Sequence, residues 1–527
     1  MRRVRHLRPS VPGLVLAPLL AALIAGVGSP GAGAAAFSSA PCPLSAAGAP
    51  KPNEAPVAHP RFLSGTGTLS AAMVFVDFSD APGGGESPAG LAAGIVPEAQ
   101  SWFAGASSGR FGLAVTEGTA WIRMPKPASA YSLATVAGQR AYMADAVAAA
   151  DAAHVELGGD RAVLVVPSRG VPFAVSSAFS HAPAEGVRVP STGQEIDAGV
   201  TFGADVRTAL PGYGAHLLEQ DTLHLLGLPD LYDPTATSDQ QRYASVGGWD
   251  PMSYLVSTVA PLAWHQELLG WLDPGQMPCA QRPQTVSLTP LEQPGGVKAI
   301  EVPTGRSSAY VIEDRQPQGT DRSLCSAGAL VYAVDAAAPS GQAPIVVRPA
   351  QPGAAAGCAP LSRAPFTAVA GNCRFSDQSA GLTVEVLSAG NGTLSVSVRR
   401  PNAGDATPGA CGRFRRGLGL ALAAPQGLQH PLLAQALRVV VSCSQACELR
   451  ARADLLSGGS NRRLARTTGR SDAGASTTLS LPLRGAALRA LGRALGRHRA
   501  ARVRVTVSAR ERGGFVRSAV LVLRLGA

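Results

Sequence analysis

The sequence has few charged residues and few long apolar runs. Only 15% of its 527 residues are Asp, Glu, Lys or Arg, and 46% are hydrophobic. Wholesale disorder is excluded, because a disordered chain is richer in charge and poorer in apolar residues. After residue 36, no uncharged apolar stretch approaches the ~20 residues that a membrane helix needs. We therefore expect a globular chain of about two to four domains, with no transmembrane segment in its mature part.

The eight cysteines lack the paired spacing of a zinc–thiolate site. Their even number and scattered positions are typical of disulfides formed in an oxidising compartment. They are Cys42, Cys279, Cys325, Cys358, Cys373, Cys411, Cys443 and Cys447. The last two are four residues apart beside a predicted strand, so we expect a local disulfide between Cys443 and Cys447. The other pairings stay open.

Residues 1–36 have the pattern of a secretory signal peptide. Arginines precede an apolar stretch from Val11 to Val27, and small residues follow up to Ala36. The alternative is a membrane anchor, but the stretch is shorter than a bilayer span and Pro18 interrupts it. We predict cleavage after Ala36 and a secreted protein, either extracellular or associated with the cell envelope.

Charge is unevenly distributed along the chain. Residues 401–527 contain 21 arginines and five acidic residues, a net of +16. The whole chain is +11, which leaves about −5 for residues 1–400. A basic region on an exported protein suits an anionic cell-envelope polymer or lipid surface. The alternative is a compositional excess of arginine on solvated strand faces. No nucleic acid partner is expected.

Hydrophobic patterning gives the first half of the mature chain a mixed character. An Ala-, Pro- and Ser-rich lead-in occupies 37–66. Short apolar runs at Leu69–Phe78 and Ala162–Val166 predict buried strands, and apolar residues between 141 and 148 recur at helical spacing. The region 67–278 should therefore combine helices and strands.

The second half is predicted to be rich in β-structure. Short alternating runs fill 279–400, where Asn391-Gly392 is a strong signal for a two-residue hairpin loop. A Gly- and Ala-rich linker is predicted over 401–435. Alternation returns over 436–527, which we interpret as a small basic β-sandwich with one helix inserted at 485–500.

The segment Tyr213–Asp233 is the most informative part of the chain. Its leucines recur at helical spacing until Gly227 and Pro229 end the pattern. The sequence therefore predicts a helix that stops at a sharp turn.

Spacing within this helix is that of a zinc hydrolase. Such an enzyme needs two ligands one helical turn apart, and a carboxylate beside the first that takes a proton from metal-bound water. A glycine after the second ligand turns the chain, so that a third ligand six positions on returns to the metal. Gln220, Asp221, His224, Gly227 and Asp230 occupy these positions of H-E-x-x-H-x-x-G-x-x-D.

Several short sequence segments, taken together, resemble those of the immune inhibitor A family of secreted zinc metallopeptidases. In chain order they are MVFVDFSD, SSGRFGLAV, RMPKPASAY, HLLGLPDLYD, VGGWDPMSYL, WHQELLGWLDP and IEDRQPQGTD. The resemblance extends from about residue 69 to 398. It implies an α+β fold, in which a metzincin-like metallopeptidase domain precedes the β-rich domain and the C-terminal β-sandwich.

The resemblance also implies roles for individual residues. His224 matches the second zinc histidine, Asp230 the third ligand, and Met252 the methionine turn beneath the metal. Gln220 stands in place of the first zinc histidine, and Asp221 in place of the general-base glutamate. The implied cofactor is zinc, and the implied reaction is hydrolysis of peptide bonds in a protein or peptide substrate.

Both replacements weaken that chemistry. The neutral amide oxygen of Gln220 is a poorer zinc donor than imidazole. The side chain of Asp221 is one methylene shorter than that of glutamate, so its carboxylate lies roughly 1.5 Å further from the metal-bound water. Positioning errors near 1 Å cost about a hundredfold in rate. Tyr254 stands where some related peptidases place a tyrosine that contacts the metal or the oxyanion. Its alternative role is that of a half-buried core tyrosine.

Three hypotheses follow. The protein is a zinc endopeptidase that tolerates Gln220 and Asp221, or a pseudopeptidase that binds peptides, surfaces or partners without cutting them. The third is a cell-envelope adhesion module led by the basic C-terminal region. Hydrolysis, if retained, should be slow, because the departures affect the two residues that the chemistry most needs.

Overall fold

A computed structural model gives the fold of the chain. It describes residues 42–44, 62–157, 159, 161–180, 186–369, 371–390, 392–399, 420–424, 431–443, 446–457, 460–472, 476–498, 500–511 and 516–526. The predicted signal peptide, Cys411 and Asn391 lie outside the described residues, as do most of the predicted lead-in and of the predicted linker.

The first part of the described chain is built on a mixed sheet. Its strands and a short separate pair are Gly67–Asp77 (β1), Phe111–Arg123 (β2), Ala162–Pro167 (β3), Ser177–Ser180 (β4), Val187–Arg188 (β5), Glu195–Ile196 (β6) and Ala198–Thr201 (β7). The sheet order is β2-β1-β3-β7-β4, with all neighbours parallel except β7 and β4. The two predicted buried strands are β1 and β3.

Helices pack on both faces of this sheet. The packed helices are Pro88–Ala106 (α1), Val136–Ala152 (α2) and Tyr213–Leu225 (α3). This part of the chain also contains two short helices, Asp239–Arg242 (α4) and Ala263–Leu268 (α5), and 3-10 turns at Ala128–Ala130, Ala204–Arg207 and Gly247–Trp249. The side chains of Ser87 and Thr135 cap α1 and α2 by accepting hydrogen bonds from the backbone N–H of Gly90 and Gly138.

Strand β1 is buried on both sides, which explains its nearly continuous apolar sequence. Met73 and Phe75 pack into a core shared with α1 and α3. Val74 and Val76 point the other way, into a core shared with α2. Helix α3, which contains the predicted site residues, is thereby held against the sheet.

The second part of the chain is a pair of antiparallel sheets. Its strands are Gln284–Leu288 (β8), Ala299–Pro303 (β9), Ser308–Arg315 (β10), Gly328–Asp335 (β11), Ile345–Val347 (β12), Arg374–Asp377 (β13), Leu382–Gly390 (β14) and Thr393–Arg399 (β15), with a 3-10 turn at Gly319–Ser323. The orders are β12-β11-β10-β9 and β13-β14-β15-β8. Gly390 pairs with Thr393, which confirms the predicted hairpin.

The last part again has two sheets around one core. Its elements are Leu420–Ala423 (β16), Pro431–Ala434 (α6), Ala436–Cys443 (β17), Cys447–Ser457 (β18), Ser460–Ser471 (β19), Ser476–Pro482 (β20), Ala486–His498 (α7), Ala500–Glu511 (β21) and Val516–Gly526 (β22). The orders are β16-β17-β20 and β19-β18-β21-β22, and both sheets contribute to a single hydrophobic cluster. Helix α7 is the predicted inserted helix.

Disulfides tie distant and local segments. Cys443 and Cys447 are bonded, as predicted, with Cα atoms 6.4 Å apart. Cys42 pairs with Cys279 across 237 residues, and Cys325 with Cys358. Cys373 is also disulfide-bonded.

The mixture of helices with parallel and antiparallel strands confirms the predicted α+β class. None of the helices in the described part of the chain combines the length and apolar character of a membrane span.

Candidate functional site

Helix α3 is buried over almost its whole length, from Gly214 onward. It ends where the backbone N–H of Gly227 donates to the His224 carbonyl and that of Leu228 donates to the Leu223 carbonyl. Gly227 has φ of +102°, and a Cβ at this position would lie 3.0 Å from the ring of Phe62. Only glycine combines this left-handed backbone with so close a neighbour, so the predicted sharp turn is present.

This turn brings His224 and Asp230 together. The Nε2 atom of His224 lies 3.2 Å from Oδ1 of Asp230, and both side chains are buried. On the other side of the ring, Nδ1 lies 2.8 Å from the Leu228 carbonyl oxygen. A carbonyl can only accept, which assigns a hydrogen to Nδ1 and leaves Nε2 facing the carboxylate. Nε2 therefore either donates to Asp230 from a protonated ring or shares a cation with it.

The loop that carries Asp230 is held from two sides. The backbone N–H of Leu231 donates to the Met252 carbonyl at 2.9 Å, which joins the loop to the predicted methionine turn. Ser340 Oγ accepts from the Asp230 backbone N–H, and the Asp230 carbonyl accepts from Gly341 N–H, both at 2.9 Å. The position of Asp230 therefore depends on the β-rich part of the chain.

Gln220 and Asp221 are also buried, with 8% and 6% of their surface exposed. Burial raises the pKa of Asp221 to about 7; the charge of His224 opposes this rise, and the carboxylates of Asp205 and Asp230 add to it. Among the described residues, Oδ2 of Asp221 has no hydrogen-bond partner. The predicted base therefore lies within electrostatic reach of His224 and Asp230, as a buried carboxyl group.

Tyr254 is half-buried, and its ring meets that of Tyr243 edge to face, with centroids 4.9 Å apart. A third tyrosine, Tyr213, was not predicted as a site residue. Its pKa is raised by burial and further by the charges of Asp205, Tyr243 and Asp221. Tyr213 is therefore the tyrosine that responds electrostatically to Asp221, and a role for Tyr254 in catalysis stays a prediction.

Met252 is fully buried in a turn that Asp250 organises. Oδ1 of Asp250 accepts from the Met252 backbone N–H, and Oδ2 accepts from Leu262 N–H and from His265 Nδ1, at 2.8 to 2.9 Å. His265 belongs to one of the segments that carry the family resemblance. Its ring helps Asp250 to hold the turn, which is a structural role.

No role was predicted for the segment IEDRQPQGTD, which forms a buried ionic network around Arg315. Its Nε and Nη2 donate to Asp321 at 2.6 and 2.7 Å, and Nη1 donates to Glu313 at 3.0 Å. The guanidinium also donates to the carbonyls of Trp249 and Ala260, on either side of Met252. The sequence hinted at this network only through two acidic residues beside an arginine at the end of an otherwise apolar strand. This pattern does not show which groups the three side chains contact.

The side chains around His224 supply few ligands for zinc. A catalytic zinc site uses three protein ligands. In the described ranges, no group of three or more His, Cys, Asp or Glu side chains is arranged to hold a metal ion. His224 and Asp230 supply two facing donors, and the remaining position at ligand spacing is the amide of Gln220. The residues present therefore do not fit an ordinary catalytic zinc site.

Comparison with known proteins does not assign the chain to a family. No protein-family model matches the chain, and no curated protein matches it. A relation to immune inhibitor A peptidases therefore stays a prediction from the sequence segments that resemble them.

Proposed function

We propose that this protein is a secreted, metallopeptidase-like protein of the immune inhibitor A type that binds protein or peptide segments without efficient hydrolysis. The proposal takes residues 67–278 as a metzincin-like domain and 279–400 as its β-rich companion. The proposal includes export of the protein, directed by the signal peptide predicted at residues 1–36. The disulfides are compatible with an oxidising compartment.

One observation carries the proposal. His224 and Asp230 face each other at 3.2 Å across the turn at Gly227, and the loop of Asp230 is hydrogen-bonded to Met252, which supports a site arranged as in the family's motif. The first histidine and the glutamate are replaced by Gln220 and Asp221 on the same buried helix. A site that keeps His224 and Asp230 in place, but has lost the family's first zinc histidine and its glutamate, is what we expect of a pseudopeptidase.

A functioning zinc peptidase is the second candidate. The observation that favours it is Asp221, whose buried carboxyl group has its pKa raised to about 7. A general base works best when its pKa lies near the operating pH. The carboxyl group is nevertheless one methylene shorter than the family's glutamate.

The test compares the native secreted protein with the variant Gln220→His/Asp221→Glu. Bound zinc is measured per chain, and cleavage of casein is measured with and without a chelator. We expect the native protein to hold little zinc and to retain fluorescent casein peptides uncut, whereas the variant gains both zinc and chelator-sensitive cleavage. His224→Ala in the variant background is the matched control, and it should abolish both gains.

Two results would contradict the proposal. Stoichiometric zinc in the native protein, with cleavage close to the variant's rate, would establish the active peptidase instead. A variant that folds like the native protein, yet gains neither zinc nor cleavage, would remove the metallopeptidase relation itself.

A further inference from the structure

The sheet β19-β18-β21-β22 has one face towards the core and one towards solvent. On β18, Leu449, Ala451 and Ala453 are buried, and the residues that alternate with them are exposed or half-buried. Strand β21 repeats the pattern with Val503 and Val505 in the core. We call the solvent-facing side the outer face.

Arginine dominates the outer face. Strand pairing places three exposed arginines on β19, two on β18 and three on β21 along this side, against Glu448 and Asp454. In one cross-strand row, Arg466 is beside Arg452, which is beside Thr506. The outer face therefore has a net charge of about +6 within the described residues.

Ion pairs compensate only part of this charge. Asp454 lies 3.5 Å from Arg452 and 3.6 Å from Arg463, and Glu448 lies 3.5 Å from Arg470. Among the described residues, no acidic side chain pairs with the other five arginines of the outer face. A cluster of like charges held by rigid strands attracts a multivalent anion.

The rows end in apolar residues on the edge strand β22. Val516, Val520 and Val522 pair with Arg510, Thr506 and Arg504, so their side chains share the outer face. They are 56%, 57% and 41% exposed, and they are among the few large apolar side chains that the described chain leaves in solvent. The outer face is therefore rich in arginine on the side of β19 and becomes apolar at the edge strand β22.

We propose that the outer face docks on a lipid bilayer surface that displays anionic headgroups. The arginines bind headgroup phosphates, and the β22 valines enter the interface beside them. Membrane attachment of this kind combines buried apolar area with electrostatic attraction. A hydrophilic polymer would satisfy the arginines but would leave the valines in water, so the valines favour the bilayer. This proposal is independent of the peptidase-like site.

The experiment measures co-sedimentation of the full chain with vesicles of phosphatidylcholine, with and without phosphatidylglycerol. The outer-face variant is Arg450→Gln/Arg466→Gln/Arg504→Gln. The matched control, Arg484→Gln/Arg489→Gln/Arg493→Gln, removes the same charge from α7 and from the turn two residues before it, where these arginines are exposed. Since α7 packs its leucines into the core, the control leaves the outer face unchanged.

We expect the native protein to bind only the vesicles that contain phosphatidylglycerol. The outer-face variant should bind on the order of a hundredfold more weakly, and the α7 control should stay within about threefold of native. Val520→Ser/Val522→Ser should weaken binding about tenfold with the charge unchanged. All variants should unfold at the same temperature as the native protein, which excludes misfolding as the cause of weaker binding.

Three results would overturn the proposal. Equal losses in the outer-face and α7 variants would mean that net charge alone is responsible. Unchanged binding by the valine variant would remove the apolar contribution. Binding of the face to a soluble polyanion such as polyphosphate, without vesicle binding, would assign it to a polymer instead.

Discussion

Replacing Arg315 with methionine tests whether the buried ionic network holds the methionine turn in place. Methionine keeps most of the side chain's length but removes every donor of the guanidinium. Glu313 and Asp321 would then remain in the core without their cation, and the Trp249 and Ala260 carbonyls would lose their hydrogen bonds. The side chains of the three charged residues are 0% exposed.

The expected cost follows from this burial. Removing one partner of a buried ion pair costs about 3–5 kcal/mol, because the remaining charge cannot be solvated. A whole domain is stable by only about 5–15 kcal/mol. Arg315→Met should therefore remove a large fraction of the free energy of unfolding.

Urea denaturation followed by tryptophan fluorescence is the suitable assay. All five tryptophans lie between residues 102 and 271, and Trp249 itself lies under the guanidinium at 5.8 Å. The signal therefore reports on the region that the network clamps. Arg161→Met is the control, because this arginine is 61% exposed and pairs with Asp197 at 3.2 Å. It should cost less than about 1 kcal/mol.

A second variant separates the loss of the cation from the loss of packing. Arg315→Met/Glu313→Gln/Asp321→Asn leaves no charge within the network itself, so it should recover more than half of the lost stability. A loss below about 1 kcal/mol in Arg315→Met would refute the reasoning. So would a triple variant no more stable than the single one.

Two further predictions concern pH and disulfides. Burial raises the pKa of Glu301 from 4.5 to about 7, so the folded state keeps a proton that the unfolded chain loses between these values. Stability should fall as pH rises through that window, and thermal unfolding of Glu301→Gln should show a smaller fall, because other buried carboxyl groups with raised pKa values, such as Asp221, keep their share. Replacing Cys42 and Cys279 by serine should cost about 5 kcal/mol in urea titrations, against about 2 kcal/mol for Cys443 and Cys447, because the first bond closes a far longer loop. Equal losses would contradict the loop-entropy reasoning.

Features with a local pattern could be predicted from the sequence. The apolar run of β3 and the leucine stripe of α3 gave the right elements, since burial on both faces and helical periodicity are visible within a few residues. The hairpin at Gly390 and Thr393 and the bond between Cys443 and Cys447 were equally local.

The candidate site was only partly local. The spacing of His224, Gly227 and Asp230 predicted a turn back towards the helix, and the turn is present. The ionisation of Asp221 could not be predicted, because it depends on burial and on carboxylates from other elements. The roles of Gln220 and Asp221 in binding zinc and in hydrolysis remain predictions.

Local pattern alone was enough to predict β1, β3, α7, the helix α3 with its end at Gly227, and the strongly basic last part of the chain. Only the fold shows that Arg315 donates hydrogen bonds to the Trp249 and Ala260 carbonyls, on either side of Met252, and that Cys42 pairs with Cys279. It also decided that the arginines of three strands share one face with the valines of a fourth. Periodicity acts over a few residues, whereas pairing of distant groups depends on the register and packing of the whole fold.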